Sequence, residues 1–105
     1  MPYYDTVTHV LEGVKNVPLY VKGTITNWTA IRVGTANAGS RKYISVFNKS
    51  PYMIYITTDN TADPAHCRVM RKGGERVFPY SDKVTLYGLS AETGGARLIV
   101  TEECG

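Results

Sequence analysis

The sequence predicts an all-β chain: a single small β-sandwich, jelly-roll-like, of about eight short antiparallel strands. Three observations carry this. Apolar residues recur mostly at every second position and almost nowhere with helical spacing. β-branched and aromatic residues, eight tyrosines among them, fill the apolar runs. The runs are short and are divided by clusters of Gly, Asn, Asp, Ser and Pro. A chain of 105 residues can fill one two-layer core and has little material for a second.

The elements follow in order. Residues 1–16 (MPYYDTVTHVLEGVKN) are an N-terminal arm or an edge strand, because Val7, His9 and Leu11 alternate ahead of the main domain at 17–105. Val17, Leu19 and Val21 alternate with Pro18, Tyr20 and Lys22 as a first core strand, with Pro18 marking an edge. Residues 28–33 form a second strand with Ile31 and Val33 inward, followed by a loop at 34–40 (GTANAGS). Residues 42–48 and 52–58 are strands joined by Lys49-Ser50-Pro51, with Ile44, Val46, Ile54 and Ile56 inward. A turn-rich loop covers 60–64, short strands cover 66–71 and 76–79, and Lys72-Gly73-Gly74-Glu75 turns between them. Residues 83–89 and 96–102 are read as a hairpin around 90–95 (SAETGG).

Composition narrows the function classes. Hydrophobic residues at 43% and charged residues at 20% describe an ordinary folded domain, and a net charge of +3 carries no dense basic stripe of the nucleic-acid-binding kind. The N-terminus lacks a basic region and a long apolar run, so neither a signal peptide nor a membrane span is expected. Synthesis in a cytoplasm follows, with free thiols at Cys67 and Cys104.

No group of residues forms a recognisable catalytic centre. His66 and Cys67 are neighbours, and on a strand they point to opposite faces. Asp59, Asn60 and Asp63 lack the alternating spacing of a calcium loop and read as turn residues. His9 and His66 with two separated cysteines lack zinc spacing. GTANAGS and KGGE lack the lysine and hydroxyl of a phosphate loop, and Asn27-Trp28-Thr29 matches a glycosylation sequon by pattern only. The expectation is a non-enzymatic protein with no cofactor and no metal.

The strands instead carry apolar residues on two faces. Leu98-Ile99-Val100 does not alternate; with Leu98 and Val100 inward, Ile99 faces out. With Val84 and Leu86 inward, Tyr87 and Leu89 face out beside it. One sandwich core covers one face of each sheet, so these outward groups predict contact with another chain. Arg68, Arg71, Lys72 and Arg76 add a basic segment, and with nearby tyrosines they leave a single-stranded nucleic-acid-binding or carbohydrate-binding small barrel as an alternative.

Two stretches, SRKYISVFNKSPYMIYITTD and GGERVFPYSDKVTLYGLSAETGGARLIVTEE, resemble the small β-sandwich auxiliary proteins of tailed-bacteriophage virions. There, alternating apolar residues end on an Asn, a short turn leads to an Ile-Tyr-Ile strand, a glycine turn-strand follows, and a last strand ends on Glu. Here those positions are Ile44 to Asn48, Ile54 to Ile56, Gly73 to Phe78 and Leu98 to Glu102. The resemblance covers roughly residues 40–103. It implies a capsid decoration (cement) protein on the virion surface, or a head–tail, neck or tail-attached module, forming dimers or trimers and binding the major capsid protein or another virion protein. On that reading Tyr87, Leu89 and Ile99 meet a sister subunit. The arm, with Tyr3, Tyr4, Val7, His9 and Leu11, lies along the shell, and Arg68, Arg71, Lys72 and Arg76 meet acidic patches. A membrane partner is not expected, and nucleic acid is not favoured.

Overall fold

A computed structural model describes residues 9–21, 27–63, 67–91 and 96–105. Over these residues the chain forms eight strands: β1 (His9–Val17), β2 (Thr29–Ile31), β3 (Arg41–Asn48), β4 (Ile54–Thr57), β5 (Arg68–Met70), β6 (Glu75–Phe78), β7 (Leu86–Ser90) and β8 (Ala96–Cys104). They build two four-stranded sheets, sheet I in the order β1-β8-β3-β6 and sheet II in the order β2-β7-β4-β5. Neighbours are antiparallel throughout. Every connection except β4 to β5 passes from one sheet to the other. That is the strand order of a jelly roll, and the predicted all-β sandwich is what the chain forms.

The core lies between the sheets. Ile44, Val46, Leu98 and Val100 of sheet I meet Ile31, Ile54, Ile56, Met70 and Leu86 of sheet II, all buried. Alternation in β3, β4 and β8 puts these residues on one side, as expected. Gly88 sits among them. A Cβ there would lie 2.8 Å from Cδ1 of the fully buried Ile31, which would have to shift within the core.

Several elements differ from the sequence reading. β7 and β8 do not pair: β7 lies between β2 and β4, and β8 between β1 and β3. Tyr87 and Leu89 therefore belong to one sheet and Ile99 to the other, so the three share no face. Leu89 is also fully buried, opposite Tyr55 in the register, and offers no surface. The first long strand is residues 9–17, not 17–21. After Val17 the chain leaves sheet I for sheet II: Pro18 accepts a hydrogen bond from the Ser90 amide (2.7 Å), and the Tyr20 amide donates to Ser90 (2.9 Å). Leu19 makes only an isolated bridge to Ser90, and Leu19 and Val21 are exposed. Tyr3, Tyr4, Val7 and His66 lie outside the described residues.

β3 is closed at its C-terminal end by a buried amide. The Asn48 Nδ2 donates to the carbonyls of Tyr52 (2.7 Å) and Arg71 (3.2 Å). Its Oδ1 accepts from the Ser50 amide (3.1 Å) and hydroxyl (2.7 Å). The backbone of Asn48 also bonds Gly73 and Gly74. One side chain thus ties the β3–β4 turn to the β5–β6 turn, where Gly73 adopts φ 72°. Asn48→Ala would strip partners from two partly buried carbonyls and from the buried Ser50. It is expected to destabilise the fold by about 2–4 kcal/mol, measured by urea unfolding. A loss below about 0.5 kcal/mol would show the amide to be dispensable.

Candidate interaction surface

A search for chemistry starts with charge held inside the fold. Arg41, at the start of β3, and Glu102, near the end of β8, form an ion pair of 2.7 Å with side chains 0% and 1% exposed. Every remaining bond of the pair goes to backbone. Arg41 Nε donates to the Tyr80 carbonyl (3.0 Å), and Nη2 donates to the carbonyls of Ser81 (2.9 Å) and Val84. Glu102 Oε1 accepts the Val33 amide (2.8 Å) and Oε2 the Ala38 amide (3.0 Å). Burial pushes the Glu102 carboxyl up. The amides of Ala38 and Val33 and the Arg41 guanidinium outweigh that and hold it below the ordinary glutamate range. The pair is a structural closure: the two charged groups are out of contact with solvent and bond each other and the backbone.

A second place to look is a cleft of about 390 Å³ with a floor of Ile56, Leu86 and Phe78 and a rim that includes Asp59, Cys67, Arg68 and Tyr80. Burial pushes the Cys67 thiol up, as do Asp63 and Asp59, against an opposing hydrogen bond with Thr57. A nucleophilic thiol needs the reverse shift. Asp59 Oδ1 accepts from the Thr61 amide (2.9 Å) and hydroxyl (2.6 Å), which lowers its pKa and marks a turn residue. Among the described residues no group of three His, Cys, Asp or Glu side chains could hold a metal ion. Neither cysteine is in a disulfide, and Cys104 is buried.

The outer face of sheet I is different. β8 lies at its centre, and the register sets its side chains in rows. Val14 of β1, Ile99 of β8 and Phe47 of β3 stand side by side. In the next row Glu12, Thr101, Ser45 and Val77 of β6 follow one another, and beyond them Val10, Glu103 and Tyr43. Val10, Val14 and Val77 are 53%, 59% and 46% exposed. Ile99 and Phe47 are half-buried. Among the described residues no strand lies over this face, and at its far end Glu103 is buried. Of the residues the sequence singled out, it contains Ile99, with His9 and Leu11 on the other side of β1. Phe47, Val14 and Val77 were missed, although Phe47 follows directly from the inward assignment of Ile44 and Val46.

Arg68, Arg71, Lys72 and Arg76 are exposed along β5, the turn and β6. Their strands are edges of opposite sheets, so the four cations flank one open side of the sandwich. Arg68 borders the cleft, and Arg71 and Arg76 line a smaller hollow beside it. Comparison with protein-family models, characterised proteins and solved structures finds no match for this chain.

The ion pair makes a pH prediction. Because the folded carboxyl of Glu102 titrates below its unfolded value, its contribution is present above about pH 4.3 and is lost as pH falls through the depressed folded value. Glu102→Gln leaves Arg41 buried without a counter-charge and should cost about 3–5 kcal/mol at pH 7. Denaturant unfolding at a series of pH values should show the gap between native and variant narrowing below pH 4. A gap that stays constant to pH 3 would contradict the assignment.

Proposed function

We propose that this chain is a non-enzymatic structural protein of a virion, a capsid decoration (cement) protein that seats on the major capsid protein and stiffens the shell. The observation that supports it is the apolar group Val14, Ile99 and Phe47 on the outer face of sheet I, over which no strand lies among the described residues. Apolar groups of this kind on a small domain are the usual mark of a protein contact. Jelly rolls are widely used in capsids, though a fold by itself does not assign a role. The basic side at Arg68, Arg71, Lys72 and Arg76 steers the domain toward acidic shell patches and contributes mainly to the rate of encounter. On this reading the protein is made in the host cytoplasm and resides on the virion surface; a neck or tail-attached position uses the same face.

One observation favours a second reading. The cleft beside Arg68 joins an apolar floor to Asp59 and Tyr80, a lining suited to a sugar ring or an unstacked base.

The test is binding of the purified chain to shells of its source virus from which it has been stripped. Phe47→Asp with Ile99→Asp should weaken binding about a hundredfold, since each apolar side chain buried contributes about 1.5–3 kcal/mol. Thermal unfolding should show that the variant remains folded. Charge reversal at Arg68 and Arg71 should lower the association rate only a few-fold and in a salt-dependent way. Undiminished binding by the double variant would remove this face from the mechanism. Capture of glycan or oligonucleotide instead of shells would favour the cleft.

A further inference from the structure

We infer that the free edge of β1 pairs antiparallel with the β1 edge of a second copy of this chain, about a two-fold axis at Val14. The four sheet edges are unequal. β1 has nine residues, whereas β2 and β5 have three each and β6 has four. Short edges resist pairing with other chains, and a long apolar one invites it. Among the described residues no strand lies on the outer side of β1. The strand carries Val10, Leu11 and Val14 in exposed positions, with no proline within it to block a ladder.

The strand's own sequence selects the partner. A two-fold axis perpendicular to the sheet keeps each residue on its own face, so only registers centred on one residue are allowed. Centring on Glu12 sets two carboxylates opposite each other, which is repulsive. Centring on Gly13 sets Glu12 against Val14 and Lys15 against Leu11. Centring on Val14 matches like with like. Val14 meets Val14, Leu11 meets Val17, Glu12 meets the Asn16 amide, and Lys15 stands opposite Gly13.

The result is a continuous eight-stranded sheet formed from two copies of the four-stranded sheet I. It buries Val14 and Leu11, which are 59% and 41% exposed in one copy. It also places two apolar outer faces side by side, doubling the surface offered to a shared partner.

Sedimentation equilibrium of the purified chain at micromolar concentrations should show a reversible dimer. Val14→Lys, which sets two cations opposite each other, should raise the dissociation constant about tenfold or more. With Cys67→Ser and Cys104 left in its buried place, Val14→Cys should oxidise to a covalent dimer, because opposite Cβ atoms lie about 5 Å apart. Val10→Cys should not, because in this register the two Cys side chains stand about 26 Å apart. A native chain that stays monomeric, or Val10→Cys cross-linking as readily as Val14→Cys, would overturn the inference. The result is separable from shell binding: a monomer that binds shells overturns the dimer alone, and a dimer that ignores shells overturns the shell reading alone.

Discussion

The buried ion pair between Arg41 and Glu102 is the constraint on which the remaining architecture depends. Arg41 draws in three carbonyls of the β6–β7 connection, and Glu102 takes two amides of the β2–β3 loop. Both connections cross between the sheets, so the pair fixes how the sheets are offset at one end. Asn48 performs the same task at the other end, through the β3–β4 and β5–β6 turns. A buried ion pair adds little net stability over a well-packed apolar substitute. Its value here is specification: each of its polar atoms has one set of partners, and alternative loop arrangements would leave them unmet.

β3 runs between these two closures and is held at both ends. Its outward residues Tyr43, Ser45 and Phe47 are therefore fixed by the same bonds that close the poles, and β8 beside it carries Ile99 and Thr101 in register. A face held in this way loses little freedom when another protein covers it, which favours binding without any special contact. Asn48 and Glu102 are the two closures. They hold the sandwich shut, and the outer face of sheet I stands on the strands they fix.

Much of the fold was legible in the sequence, for a physical reason. Alternation in β3, β4 and β8 is strict where one face is fully covered, so Ile44, Val46, Ile54, Ile56, Leu98 and Val100 could be placed inward. Residues 1–16 read as an arm or an edge strand, because Val10, Leu11 and Val14 put apolar side chains on both faces; residues 9–17 are an edge strand. The pairing of β7 with β8 was misjudged because proximity in sequence favours adjacent strands, and nothing in the short connection reports that it changes sheets. The strands at 28–33 and 83–89 are shorter than their sequences suggest for a shared reason. Glu102 takes the Val33 amide and Arg41 the Val84 carbonyl, removing both groups from the ladders. Such long-range bonds leave no local trace. The candidate face suffered accordingly: Ile99 was found, while Leu89 was assigned to a surface it does not reach.

The central claim is that the outer face of sheet I is where this protein meets its partner. Hydroxyl-radical footprinting tests it most directly, by comparing the free chain with the chain on particles purified from its source. The account predicts loss of oxidation at Tyr43, Phe47, Val77 and Ile99, with Phe78, Tyr80 and Arg68 around the cleft unchanged. Protection confined to the cleft, or absence of the chain from the particles, would contradict it.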